Sequence, residues 1–391
     1  MYTKVVTRFP NFEVGFFAAL LEYFEWVRRK LEVTRGALSW EFIPAGGLQF
    51  SKYVGKKPAD LAADGKLLFN VGEGAFDQHG RPENIGNANG GMICSGDVLR
   101  MDGYDFLGRR AYLTRLYEIV AANDVSGVSV SGDKENFREA MVGLTAKYQE
   151  KPEVVLEFLT LGFCGLFELA RNGEELADPY ARASLERAVL AYAPEKADRF
   201  RTLYQEAMNC LIEEWNRAVA DYGSGRRERR ISHPEMGGRQ LKVVSFRSGS
   251  CRAGHVARRN SADVTIIQNP DGHVQVTARI LFLKGGKKRL NLGYVAAALR
   301  KEEAYLLTTR LEEDVTKVGF FGNGMIIPWY FAEFLTMVAN GTVGNNVIPV
   351  TKIPIGRILE LVIATLPTCV LFEREEDKKK PEPVMAPVTN A

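Results

Sequence analysis

Residues 4–31 read KVVTRFPNFEVGFFAALLEYFEWVRRKL, an apolar β-branched run that passes into a segment of helical period. Val5, Val6 and Thr7 favour extended backbone, which predicts a strand over Lys4–Thr7. From residue 16 to residue 31, Phe17, Leu20, Leu21 and Phe24 recur at helical spacing, and Arg28, Arg29 and Lys30 suit the negative end of a helix dipole. KLLFNV, residues 66–71, is a second compact run closed by glycines and predicts another strand. Strand, helix, strand implies an α/β fold with a mostly parallel N-terminal sheet, whose polar residues collect where strands meet loops.

Outward from that start, residues 105–222 are mainly helical in pattern, with LTRLYEIVAAND, FREAMVGLTAKY, PEVVLEFLTLGFCGLFELA and FRTLYQEAMNCLIEEWNRAVADY carrying apolar residues every three or four positions. Pro152 and Pro179 stand where helices start or separate, and Met208, Leu211 and Trp215 form one packing face. GSGRRERRISHPEMGG then breaks the pattern with glycine and arginine and predicts a linker over 223–240. Beyond it come the strand-like LKVVSF, ADVTIIQN and HVQVTARILFL, the hairpin turn NPDG, and the helix-like LNLGYVAAALRKEEAYLL. The expected organisation is an N-terminal lobe with helical connector over 1–222, the linker, a smaller C-terminal α/β lobe over 241–372, and a frayed, charged tail over 373–391.

At 391 residues and 46% hydrophobic, the chain has the composition for two buried cores. No signal-peptide pattern opens it, and no apolar run reaches membrane-spanning length, so no membrane partner is expected. Five cysteines scattered at 94, 164, 210, 251 and 369 suggest neither a disulfide framework nor a CxxC metal site and fit a reducing cytoplasm. A net charge of +3 hides a local excess: ten Lys or Arg lie between Arg226 and Arg259 against Glu228 and Glu235. Such a stretch attracts phosphates.

The run FNVGEGAFDQHG, residues 69–80, places Asn70 near a strand end and uses glycines to return the backbone, so that Asp77 and His79 can approach it. A carboxylate with an imidazole can hold a divalent transition metal whose bound water attacks phosphate. The same two residues could equally cap a turn and satisfy a carbonyl, and Asp124 beside Ser126 and Gly127 has a turn role of its own.

A strand followed by FDQHG and then CSGDVLR resembles the region around the Asp-His-His motif of the DHH phosphoesterases, in particular the MYG1-like exonuclease branch. The resemblance implies a two-lobed fold and a metal set of Glu13, Asn70, Asp77, His79 and Asp124, with Asp77 and His79 catalytic. It also exposes departures. Asn70 stands where the family has a bridging aspartate, Gln78 replaces the middle histidine, Arg8 replaces an early histidine, and an alternative placement puts Asn11 beside Glu13 at the acidic positions. The implied cofactor is Mn2+ or Mg2+ as a single ion, or none. The implied activity is a phosphoesterase or nuclease acting on single-stranded RNA, DNA or a small nucleotide. The alternatives are an inactive nucleic-acid or nucleotide-binding module and a protein-assembly scaffold, and a homodimer is compatible with each.

Members of that superfamily place a second lobe across the cleft to hold substrate phosphates. By resemblance this role falls to GSCRAGHVARRNSADV, where Arg252, His255, Arg258 and Arg259 supply cationic and hydrogen-bonding groups. Arg252 or His255 is then expected to face the metal set. Asn340 and Gly341, in the turn with Thr342, are further substrate-binding candidates, and Gly322 and Gly324 would allow close ligand approach. Of Trp329, Tyr330 and Phe331, consecutive in sequence, at least part belongs to the core. GxxxxGK[ST] and GxGxxG signatures are absent.

Overall fold

The computed structural model describes residues 1–33, 38–43, 48, 51–71, 111–126, 131, 133–283, 286–311, 314–321, 327–332, 335–341 and 348–373, with side chains at all of these except 111, 112, 122–126 and 319–321. The described residues divide into two compact units: the first comprises those up to Ala218 together with Ser250–Arg252, and the second comprises Val219–Gly249 and those from Ala253 onward.

In the first unit the described elements are β1 (Lys4–Thr7), α1 (Phe12–Tyr23), α2 (Glu25–Lys30), β2 (Ser39–Phe42), α3 (Pro58–Ala63), β3 (Lys66–Leu68), α4 (Ala111–Ser126), α5 (Phe137–Lys147), α6 (Pro152–Arg171), α7 (Arg182–Tyr192) and most of α8 (Ala197–Gly225). Its sheet has the order β2-β1-β3 and is parallel throughout, with Lys4 opposite both Ser39 and Lys66. An N-terminal parallel sheet and a helical middle region are thus both present.

The helix expected over 16–31 is two helices. At Phe24 the backbone turns extended (φ −107°, ψ 106°), and its ring packs on Tyr23 and Phe167. Arg28 reaches back to donate to the carbonyls of Leu21 and Glu22, so the orphan acceptors of the first helix end are met by a side chain of the second. Hydrophobic spacing continues across such a break, which is why periodicity alone misses it.

Aromatic rings dominate this unit's core. Phe12, Phe16, Phe137, Phe163 and Tyr180 meet edge-on or tilted between α1, α5 and α6, while Phe17 stacks on Phe69 at 4.0 Å and fastens α1 to the sheet. Helix α6 crosses its neighbours at glycines: a Cβ on Gly165 would lie 2.6 Å from the Ala188 backbone carbon in α7, a distance no real side chain tolerates. Pro152 opens α6 at its first turn, as expected from sequence.

The second unit contains β4 (Arg227–Ser232), β5 (Gln240–Arg247), α9 (Ala253–Arg259), β6 (Val264–Gln268), β7 (Val274–Ala278), β8 (Leu281–Leu283), β9 (Gly286–Leu290), α10 (Gly293–Leu306), β10 (Gly319–Phe321), β11 (Ile327–Phe331), β12 (Met337–Ala339), α11 (Ile355–Thr365) and β13 (Leu371–Phe372). A seven-stranded sheet in the order β10-β11-β12-β7-β6-β5-β4 is antiparallel except for β5 and β6, which are joined through α9 and run parallel. A second sheet orders β13-β9-β8. The NPDG hairpin is present, with Val264 opposite Ala278.

The stretch 223–240, expected as a linker, instead holds the end of α8 and strand β4, paired over its whole length with β5 from Arg227–Ser245 to Ser232–Gln240. Composition misleads here because an edge strand needs only one buried side chain: Ile231 enters the core while Arg227, Arg229 and Arg230 remain exposed. Trp329 and Phe331, two apart on β11, are buried in this unit's core and Tyr330 is half-buried. Among the described residues no helix is long and apolar enough to cross a membrane.

Candidate functional site at the end of the parallel sheet

Strands β1 and β3 run in register, Val6 opposite Leu68, so the chains leaving them bring Arg8 level with Asn70. Asn70 adopts φ +60°, a left-handed conformation that asparagine tolerates better than other side-chain-bearing residues, and its amide thereby turns back over the sheet end. Arg8 donates twice to it, from Nε to the Asn70 carbonyl oxygen at 3.0 Å and from Nη2 to Oδ1 at 2.6 Å. The Asn70 amide nitrogen donates in turn to Glu13 Oε2 at 2.9 Å. The order is therefore guanidinium, amide, carboxylate, and it fixes which end of the amide is oxygen.

Local sequence explains this meeting. Asn11 caps α1, accepting from the Val14 backbone N–H at 3.0 Å, and sets Glu13 in the first helical turn, where the helix dipole favours a negative group. Glu13 is 3% exposed and Asn70 1% exposed, whereas Arg8 is half-buried at the rim. Buried beside Arg8 in sequence, the Thr7 hydroxyl has no hydrogen-bond partner among the described residues. Both oxygens of Asn70 accept from Arg8.

Of the five residues expected to converge, Glu13 and Asn70 do so. Asp77 and His79 lie outside the described residues, as do Gly322 and Gly324. Asp124 falls in the last turn of α4 rather than in a turn after the helix, and its side chain is outside the description. Among the described residues no group of three or more His, Cys, Asp and Glu side chains is gathered to hold a metal.

The candidate substrate residues have different settings. Arg252 belongs to the first unit, is 7% exposed, and forms an ion pair with Glu139 of α5. His255, Arg258 and Arg259 are exposed on α9, the two arginines in its last turn. Asn340 is wholly buried and committed to backbone: it donates to Pro328 O at 3.0 Å and Pro349 O at 2.9 Å and accepts from Thr351 N at 2.9 Å. Gly341, at φ +106°, lies so close to the His273 ring that a Cβ there would come within 2.7 Å of it.

From sequence Arg8 stands only at the place of an early histidine, and its partnership with Asn70 is not foreseen. The signal was available: each residue follows its strand by one or two positions, and adjacent parallel strands put such residues side by side.

No protein-family model matches the sequence, and no curated protein matches it. Among solved structures the chain is similar to one titled as an uncharacterized protein from Helicobacter pylori G27, at 11% identity over 71% of this chain and 85% of that one, with a TM-score of 0.24, a likeness that carries no argument.

Proposed function

We propose that this protein binds a phosphate-bearing ligand, a small nucleotide or the end of a single-stranded nucleic acid, on a DHH-like frame without metal-assisted hydrolysis. The observation that carries the reading is the double donation from Arg8 to Asn70. A divalent ion roughly 4 Å from a guanidinium would be repelled by about 8 kcal/mol at an effective dielectric of 20. The carboxylate of Glu13, the one the described residues place there, offsets part of that repulsion. Asn70 and Arg8 therefore fit a bound divalent ion poorly. A phosphate, by contrast, gains from a guanidinium at the rim of a parallel sheet's C-terminal end, where α/β folds bind their ligands.

A phosphoesterase with one Mn2+ or Mg2+ is the second reading, favoured by the buried carboxylate of Glu13. Calorimetry with a mononucleotide, with and without Mn2+, separates the two. Binding should proceed in chelator and fall at least about tenfold, about 1.4 kcal/mol, in Arg8→Ala. Manganese-dependent cleavage of an oligonucleotide by the intact chain would replace the binding reading with the hydrolytic one.

A further inference from the structure

Strand β4 ends the seven-stranded sheet and, among the described residues, is hydrogen-bonded on one side only, to β5. Among the described residues, main-chain bonding by residues 227–232 is confined to that ladder, apart from the Glu228 carbonyl, which accepts from the neighbouring Arg229 guanidinium at 2.9 Å. An unpaired edge six residues long is a template for a further strand.

Its side chains select what that strand can be. Arg226, Arg227, Arg229 and Arg230 are all exposed. Arg226 rests over the Tyr222 ring at 5.2 Å, and Tyr222 packs edge-on against Phe246 of β5, so the entry to the strand is held. Arg230 stands directly opposite Lys242, a like-charge pair that costs stability, and the two share one carboxylate, Glu228, at 3.7 Å and 3.0 Å. Lys242 also donates to the Asn260 carbonyl at 3.1 Å, which brings the end of α9, with Arg258 and Arg259, to the same edge. Charge on an edge commonly prevents pairing, but that explanation needs one or two charges. Here four of the five residues from 226 to 230 are arginine. Two such edges repel each other, so a second copy is not the occupant, whereas an acidic strand is attracted.

We infer that β4 is a docking edge for an extended acidic peptide, which adds to the sheet as a further antiparallel strand. Alternate residues of a strand repeat about every 6.7 Å on one face, so carboxylates two apart in the partner match Arg227 and Arg229, and the intervening positions face Arg230. A nucleic acid could answer the charge but has no alternating N–H and C=O ladder to answer the open main chain. The inference is independent of the Arg8 site.

The test uses the full chain and a fluorescein-labelled twelve-residue peptide of alternating glutamate and valine, read by anisotropy at low and physiological salt. Binding is expected to weaken at least tenfold in the triple variant Arg227→Ala, Arg229→Ala, Arg230→Ala. With the unaltered protein, binding should also weaken at least tenfold when alternate peptide nitrogens are methylated, which removes the ladder donors and keeps the charge. Equal binding of the methylated peptide would overturn the inference, as would oligothymidylate of twelve nucleotides binding more tightly than the peptide, or no peptide binding at low salt. The methylated peptide needs no protein variant, so a poorly folding triple variant would not spare the proposal.

Discussion

Each unit joins an arginine, an asparagine and a glutamate in one network, and the two networks are built differently. In the second unit Arg300 and Asn340 are fully buried and Glu303 is 1% exposed, and their partners are mostly backbone. Arg300 donates to the carbonyls of Trp329, Val315 and Lys317, while burial pushes its pKa down to about 10 against the opposing pull of Asp314. Glu303 accepts from Trp329 Nε1 at 3.0 Å, from Lys352 N at 2.7 Å and from the Thr351 hydroxyl. These bonds tie α10 to β11 and to the segment after β12. In the first unit Arg8 donates to Asn70 and Asn70 to Glu13, side chain to side chain, at the loop end of a parallel sheet, with the arginine at the rim. Buried polarity by itself therefore does not mark a site. Polar groups spent on backbone hold the fold, whereas the Arg8–Asn70–Glu13 chain joins side chains at a sheet end, which is where the proposed ligand would bind.

The sharpest way to break that distinction is Glu303→Ala. It should strip the acceptor from three buried donors and cost about 3–5 kcal/mol in urea unfolding. A loss under about 1 kcal/mol would mean the second network is not structural.

Asn70→Asp is the next probe, with a smaller cost of about 1–3 kcal/mol, because it removes the amide donor to the buried Glu13 and sets two carboxylates together. The same change restores a negative group at the sheet end. Calorimetry should detect Mn2+ binding in the variant that is weaker by at least tenfold in the parent. If parent and variant bind the ion equally, Arg8 and Asn70 do not govern cation access.

The smallest expected effect lies in the helical part of the first unit and calibrates the scale. The Tyr148 hydroxyl, 2.5 Å from Glu206, together with Lys147 holds that carboxyl below its ordinary range. Its contribution is fully present above the unfolded-state value near about 4.3 and is lost as pH falls through the folded-state value. Tyr148→Phe should thus lower stability at pH 7 by less than about 1 kcal/mol, and its difference from the parent should shrink as pH falls through the folded-state value, as measured by urea unfolding followed by circular dichroism at both pH values.

Much of the fold is legible in the sequence where one physical rule acts alone. The β1–α1 start, the helices of the middle region and the NPDG hairpin all follow from periodicity or turn chemistry. Legibility fails where two rules compete. Arginine and glycine around 223–240 suggest a linker, yet one inward Ile231 and a neighbouring strand suffice for β4. Apolar spacing carries a single helix through Phe24, where the Arg28 cap ends it. At the site, residue types disclosed Glu13 and Asn70, while the Arg8 contact depends on strand register, which residue types do not encode. Asn340 was attractive for its turn chemistry and is instead fully engaged by main chain, a difference that only three-dimensional neighbours reveal.

Ser250–Arg252 belong to the first unit although 31 residues of the second precede them, and they supply the Arg252 ion pair to Glu139, the Cys251 N–H to Glu214 and the Ser250 hydroxyl to the Glu214 carbonyl. During synthesis, then, the N-terminal unit remains chemically incomplete after its last helix has emerged. It waits for a three-residue clasp that the ribosome delivers only after β4 and β5. A nascent chain arrested at Ala218 would present Glu139 without Arg252 and Glu214 without two of its donors, so protease resistance of the first unit should appear only once the arrest point has moved far enough past Arg252 for that residue to clear the exit tunnel.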